Sequence, residues 1–175
     1  TYGISEWIPY YGTGNLACEG SYYGSGPTPV VPYAFWSNIS PSLMVGLDVR
    51  VQDLDYPQLR QLFAHWRKII PNYYGDFYPL SGYSTASDAW MAWQFNRPEI
   101  GEGLVQAFVR PDAPILGLRV KLQDLTPDAT YEIFRYGSDE KATFTGEELM
   151  KNGLKIFFET SPEAVVIVYK KVNIT

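Results

Sequence analysis

The sequence predicts a mixed α+β chain: an N-terminal α/β segment followed by an antiparallel β-sandwich. Three observations carry the prediction. Residues 42–51 (SLMVGLDVRV) are nearly continuous in apolar side chains and lead into an amphipathic helical pattern. Residues 89–95 and 104–110 both alternate with period two across a Gly/Pro-rich link, the pattern of an antiparallel hairpin. Further short strand-like runs, separated by turn residues, continue to the end of the chain.

Taken in order, residues 1–38 are rich in Gly, Pro, Ser and Tyr and read as loop, with one short strand expected over 4–10. The apolar run 42–51 is a strand covered on both faces, as in parallel sheets. Asp55 caps the helix that follows, with Gln58 three residues on as the second half of a capping box. Leu59, Leu62, Phe63, Trp66, Ile69 and Ile70 recur at helical spacing and form its apolar face, and Pro71 ends it.

In the hairpin, Met91, Trp93 and Phe95 face one way and Trp90, Ala92 and Gln94 the other. Residues 116–123 alternate as a half-solvated strand, and residues 130–136 form the next strand after a turn at 125–129. Thr145 and Glu148 make the capping box of a short helix, and Gly153 stands where a left-handed C-terminal cap is needed. Strands over 154–159 and 164–170 close the domain around a turn at Ser161, Pro162 and Glu163. The boundary between the two parts falls near residues 71–78.

Composition excludes several functional classes. The 175 residues are 46% hydrophobic and 19% charged, a globular balance. A net charge of −5 without clustered Lys or Arg excludes nucleic acid as a main partner. No apolar stretch approaches the roughly 18–20 residues of a membrane helix, so no membrane partner is expected. Secretion or periplasmic export would require a leader outside these residues, because none is present within them. Cys18 is alone and lacks a nearby base, and His65 has no second His or Cys, so neither a thiol nucleophile, a metal nor a cofactor is expected. Aromatics reach 16%, a content that suits cores beside a wet cleft and surfaces that stack on sugars.

The collinear order of several short motifs resembles the C-terminal end of clan-D glycoside hydrolases, in particular the α-galactosidase-like family 36 enzymes of melibiase type. The matching pieces are Gly12-Thr13-Gly14, Pro32-Tyr33-Ala34-Phe35-Trp36-Ser37 and Ser40-Pro41-Ser42-Leu43, then Asp48-Val49-Arg50. Tyr74-Gly75-Asp76-Phe77-Tyr78-Pro79-Leu80, Ala89-Trp90-Met91-Ala92, Gly101-Glu102-Gly103, Leu125-Thr126-Pro127-Asp128-Ala129-Thr130-Tyr131 and Thr145-Gly146-Glu147-Glu148-Leu149-Met150 continue the match. The resemblance implies that residues 1–71 are the last strand–helix units of a (β/α)8 catalytic barrel and residues 72–175 the C-terminal β-sandwich. It implies retaining hydrolysis of α-galactosides or related glycans by the whole protein, with two catalytic Asp residues upstream of this chain. No residue here inherits either role, so the chain alone is expected to be inactive.

Glu6, Trp7, Tyr10 and Tyr11 occupy the place of a late barrel strand and its loop, and Trp36, with Tyr33, lies before the last one. As a substrate-binding set they would wall a sugar pocket; as ordinary core they would pack beneath the loop. Glu6 and Asp48 are the acids near strand ends, and Asp48 serves equally as an ion-pair partner of Arg50. The exposed edge of the apolar strand predicts a homo-oligomer or a covering segment. The alternative function is a non-catalytic carbohydrate-binding or structural β-sandwich, which exposed coplanar rings would favour.

Overall fold

The computed structural model describes residues 2–8, 10–16, 32–46 and 54–172. Residues Tyr2–Ser5 form a single helical turn, α1, where a strand was expected over 4–10. The amides of Trp7 and Ile8 both donate to the Ile4 carbonyl, at 3.0 and 2.8 Å. Ile4, Trp7 and Ile8 are spaced i, i+3, i+4, the helical period, whereas on a strand Trp7 would face away from the other two. The strand begins later, as β1 (Gly12–Leu16).

A helix, α2 (Pro32–Ser37), replaces the end of the predicted loop, and β2 (Ser42–Gly46) follows it. Strands β1 and β2 pair in parallel from Gly12 against Ser42 to Leu16 against Gly46. The pairing agrees with the parallel reading of the apolar run, but coverage of both faces does not follow: Met44 is 63% exposed. The Thr13 hydroxyl reaches Ser40 Oγ at 2.9 Å and donates to the Asn38 carbonyl, fastening β1 to the chain entering β2.

Helix α3 (Tyr56–Ile69) starts at the predicted Asp55 cap, of which the Asp55 half of the expected box is formed, Asp55 Oδ1 accepting from the Gln58 amide at 2.9 Å. Leu59, Leu62 and Ile69 are buried, and Trp66 Nε1 donates to the Ser40 carbonyl at 2.9 Å. Beyond Ile69 the chain tightens into a 3-10 turn, Ile70–Tyr74, because Pro71 cannot continue the α-helical ladder.

The remainder is mainly antiparallel β. A six-stranded sheet contains β3 (Asp76–Pro79), β4 (Trp90–Arg97), β5 (Glu102–Val109), β7 (Thr130–Arg135), β8 (Lys141–Thr145) and β10 (Glu163–Val172), in the order β3-β4-β5-β10-β7-β8. Strands β6 (Gly117–Val120) and β9 (Leu154–Phe157) form a separate antiparallel pair. Strands β3 and β8 went unpredicted: the first is four residues ending in Pro, the second is polar and largely exposed. The strand expected over 116–123 pairs only through Val120, because the Leu122 amide turns to the Leu149 carbonyl of helix α4 (Gly146–Lys151). That helix has the expected capping box, and Gly153 has φ +78°.

Both faces of the large sheet are covered. On one, Ala92, Val105, Ala107, Ile133, Val165 and Ile167 pack against β6, β9 and α4 through Val120, Leu149, Leu154 and Ile156. On the other, Met91, Trp93, Phe95, Leu104, Phe108 and Val166 pack against α2, α3 and the 3-10 turn through Phe35, Trp36, Leu62, Ile69 and Tyr73. The result is a sandwich of unequal layers, six strands against two, with a helical layer on its outer face. No described helix is long and apolar enough to cross a membrane.

Gly103 lies where β4, β5 and β10 pass closest. A Cβ there would sit 2.1 Å from Tyr169 Oη and 2.4 Å from the Phe95 carbonyl oxygen. Gly103→Ala is therefore expected to destabilise the fold by about 2–3 kcal/mol, through overpacking against backbone. Its urea-unfolding midpoint, measured beside the unsubstituted chain, checks this.

Candidate functional site

Because β1 and β2 are parallel, their C-terminal ends lead into residues 17–31 and 47–53, which lie outside the described residues. Cys18, Asp48 and Arg50 fall there, and with them the Glu6–Asp48 pairing and the Asp48–Arg50 ion pair. Glu6, Trp7, Tyr10 and Tyr11 precede β1, at its N-terminal end. Trp7 is 84% exposed, and Tyr10 meets Tyr74 edge to face at 5.4 Å. Glu6 lines a shallow hollow with Tyr2 and Tyr83. The Tyr11 hydroxyl accepts from Ser5 Oγ at 2.9 Å; burial raises its pKa and this hydrogen bond opposes the rise. The structure thus divides the predicted set among separate neighbours.

Trp36 is placed elsewhere. It is 6% exposed, and its ring lies near-parallel to His65 (6.2 Å, 14°) and to Tyr136 (6.0 Å, 24°). His65 and Tyr136 approach to 4.6 Å at 38°. These rings come from α2, α3 and the residue just after β7, so they meet only in the folded chain. They border a groove of about 1230 Å³ that runs from the helical layer past Arg135 to Glu163. Burial, and then the charge of Lys68, push the His65 pKa down, while burial raises that of Tyr136. The groove's Arg135 is held by Glu163 at 2.6 Å and donates to the Phe157 carbonyl, and Lys141 pairs with Glu132 at 2.9 Å.

Beneath the groove the helical layer is tied to the sheet by Gln106, which is fully buried. Its Oε1 accepts from Trp93 Nε1 at 3.0 Å and from the Tyr73 hydroxyl at 3.2 Å, and its Nε2 donates to the Trp36 carbonyl at 2.8 Å. Sequence reading did not single out Gln106. The available signal was a carboxamide set inside an otherwise apolar strand, which requires dedicated partners. Among the described residues, no group of three His, Cys, Asp or Glu side chains could hold a metal ion.

The fold and groove define a sheet-centred C-terminal module carrying a strand–helix segment on one face. Residues 90–170 match the family model of the glycosyl hydrolase family 36 C-terminal domain. No curated protein matches the chain. Among solved structures, the galactosidase domain of the alpha-galactosidase-sucrose kinase AgaSK superposes with a TM-score of 0.69 at 21% identity, over 98% of this chain and 24% of that one. The GH36 alpha-galactosidases AgaB and AgaA from Geobacillus stearothermophilus give 0.65 and 0.66, at 21% and 20% identity. They cover 91% and 92% of this chain, and 21% and 22% of their own. At such identity the shared property is the fold. The chain spans about a quarter or less of the solved proteins it matches, and it is similar to the C-terminal region of family 36 glycosyl hydrolases.

Two outcomes follow from this geometry. Gln106→Ala leaves the Trp36 carbonyl, the Trp93 indole N–H and the Tyr73 hydroxyl buried without their partner, at a cost of roughly 3 kcal/mol or more; urea unfolding monitored by tryptophan fluorescence measures it. His65 has a folded-state pKa below its unfolded value, so the unfolded chain binds more protons as pH falls through about 6.5. Stability should therefore decline as pH drops through that value and level off below the folded pKa. In His65→Phe this step should be absent when unfolding midpoints are compared across the range.

Proposed function

We propose that the chain is the C-terminal portion of an α-galactosidase-like glycoside hydrolase. Residues 1–71 are the last strand–helix units of its catalytic barrel, and residues 72–175 the β-sandwich that stabilises it. The observation that carries this is the order β1-α2-β2-α3 with β1 and β2 parallel, packed on the outer face of a family 36 C-terminal domain. The superposition over 98% of the chain, helical layer included, supports treating the two parts as one continuous region.

On this reading the sandwich acts through burial. Phe35, Trp36, Leu62 and Ile69 lose water against Met91, Trp93, Leu104 and Phe108, at roughly 25 cal/mol per Å² of apolar surface. A retaining glycosidase needs two carboxyl groups roughly 5–5.5 Å apart, one attacking the anomeric carbon while the other protonates the leaving oxygen. We assign neither to this chain. A sugar-wall role for Glu6, Trp7, Tyr10 and Tyr11 has the exposure of Trp7 and Tyr10 in its favour. Strand polarity opposes it, since barrel sites lie at strand C-terminal ends.

The test compares this polypeptide with the longer protein on aryl α-galactosides. The longer protein is expected to turn over substrate and the 175-residue chain to show none. Turnover by the chain alone, with its own facing acids, would overturn the proposal.

A further inference from the structure

We propose that the groove bordered by α2, α3 and the end of β7 binds a neutral saccharide, with Tyr136 and His65 as its ring platform and the carboxamides of Gln58 and Gln61 reading hydroxyls. The inference rests on the carbohydrate reading above and adds a site to it. Gln58, Gln61 and His65 are spaced i, i+3, i+7, which places them on one stripe of α3, and all three line the groove. This polar stripe runs beside the apolar stripe of Leu59, Leu62 and Ile69 that seats the helix on the sheet. Helix α3 therefore offers hydroxyl-binding groups where it meets the platform.

His65 and Tyr136, both half-buried and lining the groove, lie 4.6 Å apart at 38°, and the buried Trp36 ring is near-parallel to each. A sugar presents an apolar C–H face to such rings and hydroxyls to the amides at the rim, the mixture of apolar wall and few polar groups that small-molecule sites use. The groove's volume of about 1230 Å³ leaves room for an oligosaccharide.

Charge separates a neutral sugar from a polyanion. Arg135 is engaged by Glu163, and Lys141 by Glu132. Glu140, Glu159 and Lys155 also line the groove, and the chain carries a net charge of −5. Among the lining charges Arg135, Lys141 and Lys155 are balanced by Glu140, Glu159 and Glu163, so a phosphate or sulfate group would find no net positive charge there.

Titration of the 175-residue chain with neutral galactose-containing oligosaccharides, followed by tryptophan fluorescence and calorimetry, tests the inference. Saturable binding is expected, weakened roughly tenfold or more in Tyr136→Ala and in Gln61→Ala, and unchanged in Ile115→Ala, an exposed position outside the groove. Gln61 is exposed, so its variant should keep the unsubstituted unfolding midpoint even where Tyr136→Ala does not. Three results would overturn the site: no binding by the folded chain, binding lost in Ile115→Ala but kept in Gln61→Ala, or tighter binding of sulfated than of neutral oligosaccharides. None of these touches the hydrolase reading, which stands or falls on turnover by the longer protein.

Discussion

Strands β4, β5 and β10 run through the middle of the large sheet and keep water off both faces, and the rest of the architecture follows from this. A one-sided sheet leaves its second face to solvent, but here Met91, Trp93, Leu104 and Val166 on one side are as dry as Ala92, Val105, Ala107 and Val165 on the other. Each face must therefore be closed by something. The β6–β9 pair with α4 closes one, and α2, α3 and the 3-10 turn close the other. Removing the helical layer would expose a continuous apolar surface rimmed by Trp93 and Phe108, a surface of the kind that aggregates in water.

Carboxamides set the register of both closures. Gln106 points to the helical side and binds the Trp36 carbonyl, while Gln94 and Asn96 point to the other. Gln94 pairs with the Gln123 backbone through both its oxygen and its nitrogen, at 2.7 and 2.9 Å. Asn96 donates to the Asp124 carbonyl at 2.7 Å. The Tyr169 hydroxyl joins the second pair, accepting from Gln94 and donating to Asn96, and burial raises its pKa. Apolar contact alone would let a layer slide by several ångströms at little cost. A buried amide with fixed partners does not, because a shift strands its polar atoms.

This arrangement places the groove at the seam between the helical layer and the sheet. Trp36 belongs to both features: its carbonyl is bound by Gln106 and its indole underlies His65 and Tyr136. Ring orientation at the groove is therefore coupled to the docking of the helical layer on the sheet. The similarity to family 36 glycosyl hydrolases covers the sheet through residues 90–170, while the superposed solved structures extend across the helical layer as well.

Local chemistry made much of the fold legible. Alternation announced the β4–β5 hairpin and the facing of Met91, Trp93 and Phe95; Thr145, Glu148 and Gly153 delimited α4; Asp55 and Pro71 bracketed α3. Each signal acts over a few residues, through backbone hydrogen bonding and side-chain periodicity, so the sequence by itself determined these elements. Strands β3 and β8 escaped because their own composition carries no apolar alternation, β3 being four residues ending in Pro and β8 polar and largely exposed, although each pairs with the strand next to it in sequence. The turn at Tyr2–Ser5 was misread because the helical spacing of Ile4, Trp7 and Ile8 was taken for strand alternation. Trp36 stood out as an aromatic before β2, but its ring partners could not be read from the sequence: His65 follows it by 29 positions and Tyr136 by 100. Only the tertiary structure decided that these rings share one groove and that Gln106 locks the layer beneath them, because contacts between such distant residues exist only once the sheet has been closed on both faces.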